Sequence, residues 1–170
     1  MTTLIAAFAL TFVVLIGLTL LLPRRRTVSR ERFVPASAET IFELVASNRG
    51  YQAFNPYKDK DPELKIEMFG PESGVGSGFS FHGKDGKGTQ TVASVVENES
   101  VTLQLDLGPM GRPVTTFTFE PKSGGTQVRW ATTAQFGLNP LARVFGLFLD
   151  RFLGPDYDRG LQLLAAATTR

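Results

Sequence analysis

Three kinds of hydrophobic pattern divide the chain. Residues 2–22 are apolar with no charged position. About 20 apolar residues in a helix span a ~30 Å hydrocarbon layer, so a transmembrane helix is expected over 1–23. From residue 64 onward apolar positions alternate. Leu64, Ile66 and Met68 alternate with Lys65 and Glu67, and Phe79 and Phe81 with Ser80 and His82. Val101, Leu103, Leu105 and Leu107 follow the same rule, as do Thr115, Phe117 and Phe119, and then Val128, Trp130, Thr132, Ala134 and Phe136. A period of two marks half-buried strands. Short turns such as Asp85-Gly86 and Ser123-Gly124-Gly125 join them into an antiparallel meander.

The third pattern has a period of three to four and covers 139–168. Asn139 suits an N-cap and Pro140 the first helical position. Leu141, Val144, Phe145, Phe148 and Phe152 then share one face, with Arg143, Asp150 and Arg151 mostly opposite. Gly154-Pro155 should divide this helix, because proline cannot donate to the ladder and its ring clashes with the preceding turn. The first half would be a pocket lid. The second half, with Leu161 and Leu164 facing inward, would be a structural grip. Residues 27–34 read as a first strand, 38–47 as a short helix capped by Ser37, and 51–57 as an aromatic-rich turn. The expected fold is α+β: a curved antiparallel sheet wrapped around the long C-terminal helix, the helix-grip arrangement, since a sheet with one covered face needs a long apolar element against it. An N-terminal transmembrane helix precedes it.

Charge sharpens the anchor. Arg24, Arg25, Arg26, Arg30 and Arg32 follow the apolar run. The positive-inside rule then places the N-terminus outside and the globular domain in the cytoplasm, as a single-pass cell-membrane protein. The implied division is 1–23 anchor, 24–30 basic juxtamembrane linker and 27–170 globular domain. A cleavable signal peptide fits poorly, because Met-Thr-Thr carries no basic side chain and Leu20-Leu21-Leu22-Pro23 is not a small-x-small cleavage site. The whole chain has net charge +2, and without those five arginines the remainder is mildly acidic. No nucleic-acid partner is expected on that balance.

Candidate chemistry is sparse. There is no cysteine and one histidine, His82, which alternation sets opposite Phe79 and Phe81 and therefore toward solvent. Glu97 with Glu99 fits a solvated turn, and Asp156 with Asp158 fits the start of a helix. No metal-ligand spacing, phosphate loop or nucleophile elbow is present. No metal, no cofactor and no catalytic residue are expected. The unusual count is 14 phenylalanines. They suggest a lipophilic pocket between sheet and helix, lined by Phe54, Phe79, Phe81, Phe117, Phe119, Trp130, Phe145 and Phe148. Thr91, Thr115 and Thr132 would supply polar groups if their strand parity points inward. Arg32, Asp106 and Tyr157 are the titratable groups to examine there.

Several stretches resemble one superfamily in their order. Val34-Pro35-Ala36-Ser37-Ala38-Glu39-Thr40-Ile41-Phe42 is similar to its first strand-to-helix junction, and Tyr51-Gln52-Ala53-Phe54-Asn55-Pro56-Tyr57 to its aromatic segment. Phe117 to Pro121 with Gly125 to Trp130 resembles its last hairpin, and Gly154-Pro155-Asp156-Tyr157-Asp158-Arg159-Gly160-Leu161 a signature of membrane-anchored members. The chain thus resembles the START-like (SRPBCC) superfamily, the polyketide cyclase/dehydrase and lipid-transport group, over residues 27–168. The resemblance implies a helix-grip domain; the aromatic interior, the tether and the lack of a nucleophile, metal site or buried histidine favour a membrane-anchored module that binds a hydrophobic small molecule or lipid without covalent chemistry. A cyclase- or dehydratase-like enzyme, or a protein-interaction or stress-related module, are the alternatives it leaves open.

Overall fold

The computed structural model describes residues 17–169. Strand β1 (Arg25–Val34) leads into helix α1 (Ala38–Val45), helix α2 (Asn48–Phe54) and the single turn α3 (Tyr57–Lys60). Six strands follow: β2 (Lys65–Phe69), β3 (Gly78–Gly83), β4 (Gly86–Val96), β5 (Ser100–Asp106), β6 (Val114–Lys122) and β7 (Gly125–Gln135). Helix α4 (Pro140–Gly146) and helix α5 (Leu149–Ala167) close the chain. The seven strands form one antiparallel sheet in the order β1-β7-β6-β5-β4-β3-β2, so the meander is as expected and only β1 joins out of sequence. A register shift between Val92 and Ser94 bends β4.

β1 starts earlier than its sequence pattern suggests. Arg25 already pairs with Gln135, so most of the expected linker 24–30 lies within the sheet. A paired neighbour supplies the ladder that alternation alone does not reveal. Val28, Arg30, Arg32 and Val34 lie on one parity of this strand, with both valines buried and both arginines half-buried.

Helix α5 packs across that inner face. Leu161 and Leu164 are fully buried, as their spacing predicts. The helix runs for 19 residues straight through Pro155. The division falls instead at Leu147 and Phe148, between α4 and α5. Arg30 bridges the helix across the proline. Its guanidinium binds Asp150 through two bonds of 2.8 and 3.1 Å, and its Nε donates to Asp158 at 3.2 Å. One strand-borne cation thus grips the helix on both sides of the proline. Between those two aspartates a Cβ on Gly154 would come within 2.0 Å of the Arg30 Nη2. One turn and a half later, a Cβ on Gly160 would lie 2.4 Å from the Trp130 ring. Helix α3 adds two ties: Asp59 accepts from Arg159 at 2.6 and 2.8 Å, and Lys60 pairs with Asp156. Asp156 and Asp158 are therefore docking residues in mid-helix rather than helix caps.

Helix α4 reverses the expected facing. Asn139 caps it, its Oδ1 accepting from the Ala142 amide at 3.1 Å. Its inward residues are Arg143 and Gly146, both buried, with a Cβ on Gly146 reaching to 2.4 Å from Phe136. Leu141, Phe145, Phe148 and Phe152 point outward and are 50–80% exposed. Among the described residues no helix is long and apolar enough to cross a membrane. Residues 1–16 of the expected anchor lie outside the described residues.

Gly160→Ala should cost about 1–3 kcal/mol, because the ring it meets is fixed in the core. Gly154→Ala should be nearly neutral, since a flexible arginine can yield and alanine recovers about 1 kcal/mol of helix propensity. Denaturant unfolding of both variants checks this ordering. The Arg30 guanidinium holds the Asp150 carboxyl below its usual range. A depressed carboxylate stabilises above its unfolded pKa, so this contribution should vanish as pH falls through the acid range and the carboxyl protonates, and Asp150→Asn should remove that acid dependence.

Candidate functional site

The pocket expected between the sheet and α5 is not open among the described residues: the space is filled with rings. Trp130 on β7 stacks on Tyr157 of α5 at 4.6 Å between centroids and 12° between planes. Phe117 on β6 lies 4.6 Å from the same indole, and Phe54 and Tyr51 of α2 meet it edge-on at 6.3 Å. Tyr51 in turn touches Phe79 of β3 at 5.4 Å. The alternation of β3, β6 and β7 puts these rings on one face, and α2 carries its two across the open end of the sheet.

A polar row runs through this aromatic interior. The Tyr157 hydroxyl donates to Thr132 Oγ1 at 2.6 Å, and Thr132 shares a further 2.6 Å bond with Thr115 Oγ1. All three residues are at least 96% buried. Beside them the Trp130 indole nitrogen is buried without a hydrogen-bond partner. The benzo edge of that ring, Cζ3 and Cε3, abuts Gly160. The N–H, on the opposite edge, therefore points away from α5. Leaving such a donor unpaired costs about 1–3 kcal/mol.

Two gaps approach this interior from the α2 end. An outer groove of about 280 Å³ is lined by Ser47, Asn48, Arg49, Met68, Phe69, Gly70 and Glu72. An inner gap of about 10 Å³, room for roughly one water, touches Tyr51, Phe79, Gln90 and Leu103. Both are bounded by Ser47 and Asn48. Asn48 is held there by its amide donating to Ser77 Oγ at 3.0 Å, and its side chain reaches the Phe69 and Pro71 carbonyls.

Of the residues expected to line a pocket, Phe54, Phe79, Phe117, Phe119, Trp130 and Thr132 are buried on the inner face, and Phe81 is half-buried beside Phe79. Thr115 joins them, whereas Thr91 lies on the other parity of β4 from the buried Gln90 and Val92. Phe145 and Phe148 are outside the interior altogether, because α4 turns its apolar face to the surface. A pocket lid built from them is thereby corrected. Gln90 and Asn48 were not anticipated; the apolar parity of Val92 would have pointed to Gln90. His82 is exposed, as its parity predicts. Arg32 is half-buried, and Asp106 caps the Gly108 amide at 2.9 Å in an exposed turn.

The buried phenols titrate late. Burial, with a smaller push from Asp156 and against the Thr132 hydrogen bond, raises Tyr157 to about 12. Burial likewise raises Tyr51 and Tyr57 above the ordinary phenol value. Tyr157 is therefore a neutral hydrogen-bond donor at neutral pH and not a base. Among the described residues no group of three or more histidine, cysteine or acidic side chains could hold a metal.

A curved sheet closed over a long C-terminal helix, with an aromatic interior carrying a few buried hydroxyls, defines a helix-grip domain. Its sequence matches the polyketide cyclase/dehydrase and lipid transport family over residues 25–169, and the chain belongs to that family. No curated protein matches it. Among solved structures it is similar to truncated norcoclaurine synthase from Thalictrum flavum, at 15% identity over 83% of this chain and 91% of that one, with a TM-score of 0.64. It is also similar to the di-domain ARO/CYC StfQ from the steffimycin biosynthetic pathway, at 14% identity over 85% and 51%, TM-score 0.62. A Mesorhizobium loti protein aligns at 22% identity over 85% and 98%, TM-score 0.59. At these identities the likeness is one of fold.

Neutral phenol in the fold and ionisable phenol when unfolded have a pH signature. Tyr157 contributes its full stability below about pH 10 and loses it between about 10 and 12. The three tyrosines of the chain should show tyrosinate absorbance together with unfolding and not before it. Tyr157→Phe should flatten part of that alkaline slope.

Proposed function

We propose that this chain is a membrane-tethered module that binds a hydrophobic small molecule or lipid with at least one hydrogen-bond acceptor, without forming a covalent bond to it. The observation that carries the reading is the unpartnered Trp130 indole N–H beside the Thr115–Thr132–Tyr157 hydroxyl row. Donors placed deep in an apolar interior fix the orientation of a ligand that brings an acceptor. The route in is the groove between α2 and the β2–β3 end of the sheet. It narrows at Ser47 and Asn48 onto Tyr51 and Phe79, and these two rings must swing aside for a ligand to reach Trp130. The tether rests on the uncharged run at residues 2–22 and the arginines after it, which would hold the domain at a cytoplasmic membrane face where apolar ligands concentrate.

A cyclase-like reading draws on one feature. Tyr157 is a buried, neutral donor, the kind of group that can polarise a carbonyl oxygen of a bound chain. Binding without turnover separates the two readings.

Trp130 is the only tryptophan, so its emission reports the interior directly. Titration with fatty acids and polycyclic phenols should give a saturable change in that emission. Thr132→Val should weaken binding by roughly five- to tenfold, the worth of about one hydrogen bond. Emission that never changes across both ligand classes would overturn the binding reading. Chemical conversion of a polycyclic substrate, lost in Tyr157→Phe, would favour the enzyme.

A further inference from the structure

Ten of the sixteen exposed large apolar side chains among the described residues lie in just two short stretches, 18–21 and 138–152. Arg143 joins these stretches. Its guanidinium is buried and donates to the carbonyls of Leu20, Leu22 at 3.3 Å and Gly137 at 2.7 and 3.0 Å. No carboxylate among the described residues lies within ion-pair distance of it. A buried cation that answers only backbone oxygens is placed at the end of the N-terminal apolar run, where unpaired carbonyls collect. The Phe136 amide, donating to the Arg24 carbonyl at 2.9 Å, ties the same corner. The helix that carries this exposed apolar face is thus fastened to the end of that run. Phe145 and Phe152 stack there at 5.5 Å in open exposure. Arg24, Arg25 and Arg26, just after the first stretch, and Arg151, within the second, are all exposed.

We infer that this face is a lipid-contacting surface: α4 and the first turn of α5 lie in the headgroup–acyl boundary of a bilayer containing anionic phospholipid, beside the point where the chain leaves the membrane. The inference rests on the tether reading above and adds to it a second, fixed contact. An apolar helical face with an arginine rim suits the interface, where such faces seat about 5–10 Å deep. Arg143 sets the orientation. By locking α4 to residues 20–22, it holds the domain in one pose on the membrane instead of leaving it to swing on a linker, and β1, which pairs from Arg25 onward, leaves almost no slack. The far end of the sheet, at the β6–β7 turn, then points into solvent about 30 Å away, the length of a ten-residue strand.

The chain has no cysteine, so single labels are clean. Full-length Phe145→Cys, Phe148→Cys and Ser123→Cys, each carrying an environment-sensitive fluorophore, are reconstituted into phosphatidylcholine–phosphatidylglycerol vesicles. Lipids with a nitroxide high on the acyl chain act as quenchers. Labels at 145 and 148 should be quenched about threefold or more over the label at 123, as a face seated in the interface demands. Equal quenching at all three sites in protein that floats with the vesicles would overturn the lipid-facing surface and leave the tether intact. Close label-to-label contacts between copies at 145, without lipid quenching, would assign the face to a second copy instead. A label at 145 shielded from both lipid and aqueous quenchers would assign it to residues 2–16 folded back. Protein that does not float with the vesicles would remove the tether and the surface together. All three positions are exposed in the fold, and the near-ultraviolet dichroism of the Trp130–Tyr157 stack verifies that each variant is folded.

Discussion

Everything in this domain depends on how closely the C-terminal helix can approach the sheet. Two glycines lie at the contact, and the second sets the distance. Gly154 lets the helix pass under Arg30 of β1, and Gly160 lets it rest on the Trp130 indole of β7. Any side chain at the second position would meet a ring that has nowhere to go, and the interior would have to open. The close approach also brings Asp150 and Asp158 to either side of Arg30, so that a half-exposed cation bridges a helix that its own proline weakens. Each exposed ion pair is worth little alone. Here the gain lies in geometry, since one guanidinium spans two turns of helix and fixes its rotation.

That rotation decides which side chains enter the interior. Tyr157 faces Thr132 and stacks on Trp130, while Asp156, its neighbour, is carried to Lys60 of α3. The segment from Gly154 to Leu161 is therefore accounted for residue by residue as a docking device, with Tyr157 as its one member aimed at the polar row. The interior is well filled yet polar at its centre. A fully structural core would gain nothing from an unpaired indole N–H. The departure from good packing practice sits at the centre of the aromatic interior, beside the Thr115–Thr132–Tyr157 row.

Helix α4 carries the other departure. Its pattern is amphipathic, and amphipathic helices of globular domains normally bury the apolar stripe. Here the buried residues are an arginine and a glycine, because Gly146 is the only contour that fits Phe136 and Arg143 is needed at the carbonyls of residues 20 and 22. Once those two positions face inward, the 3.6-residue repeat sends Phe145 and Phe148 out. The same stripe that reads as a core-facing surface becomes an unfilled one, on a helix tied to the end of the uncharged run at residues 2–22.

The sequence by itself determined the element order, the strand parity and the family. Alternation placed Phe79, Phe117 and Trp130 on one face, and the spacing of Leu161 and Leu164 placed them against it, because burial enforces these periods locally. It also exposed His82. Three matters were decided only by the tertiary structure. Parity counted from Val92 puts Gln90 inward, but Val95 and Val96 fall on opposite parities past a register shift, so only the paired neighbours separate Gln90 from Thr91. Proline chemistry predicted a break at Gly154-Pro155, but the helix continues through it, packed on the sheet and bridged across the proline by Arg30 of β1. And a periodic apolar face states that something must cover it without stating what: whether rings, lipid or another chain lie against Phe145 depends on which side of α4 is already taken, and that is settled by contacts with residues far away in sequence.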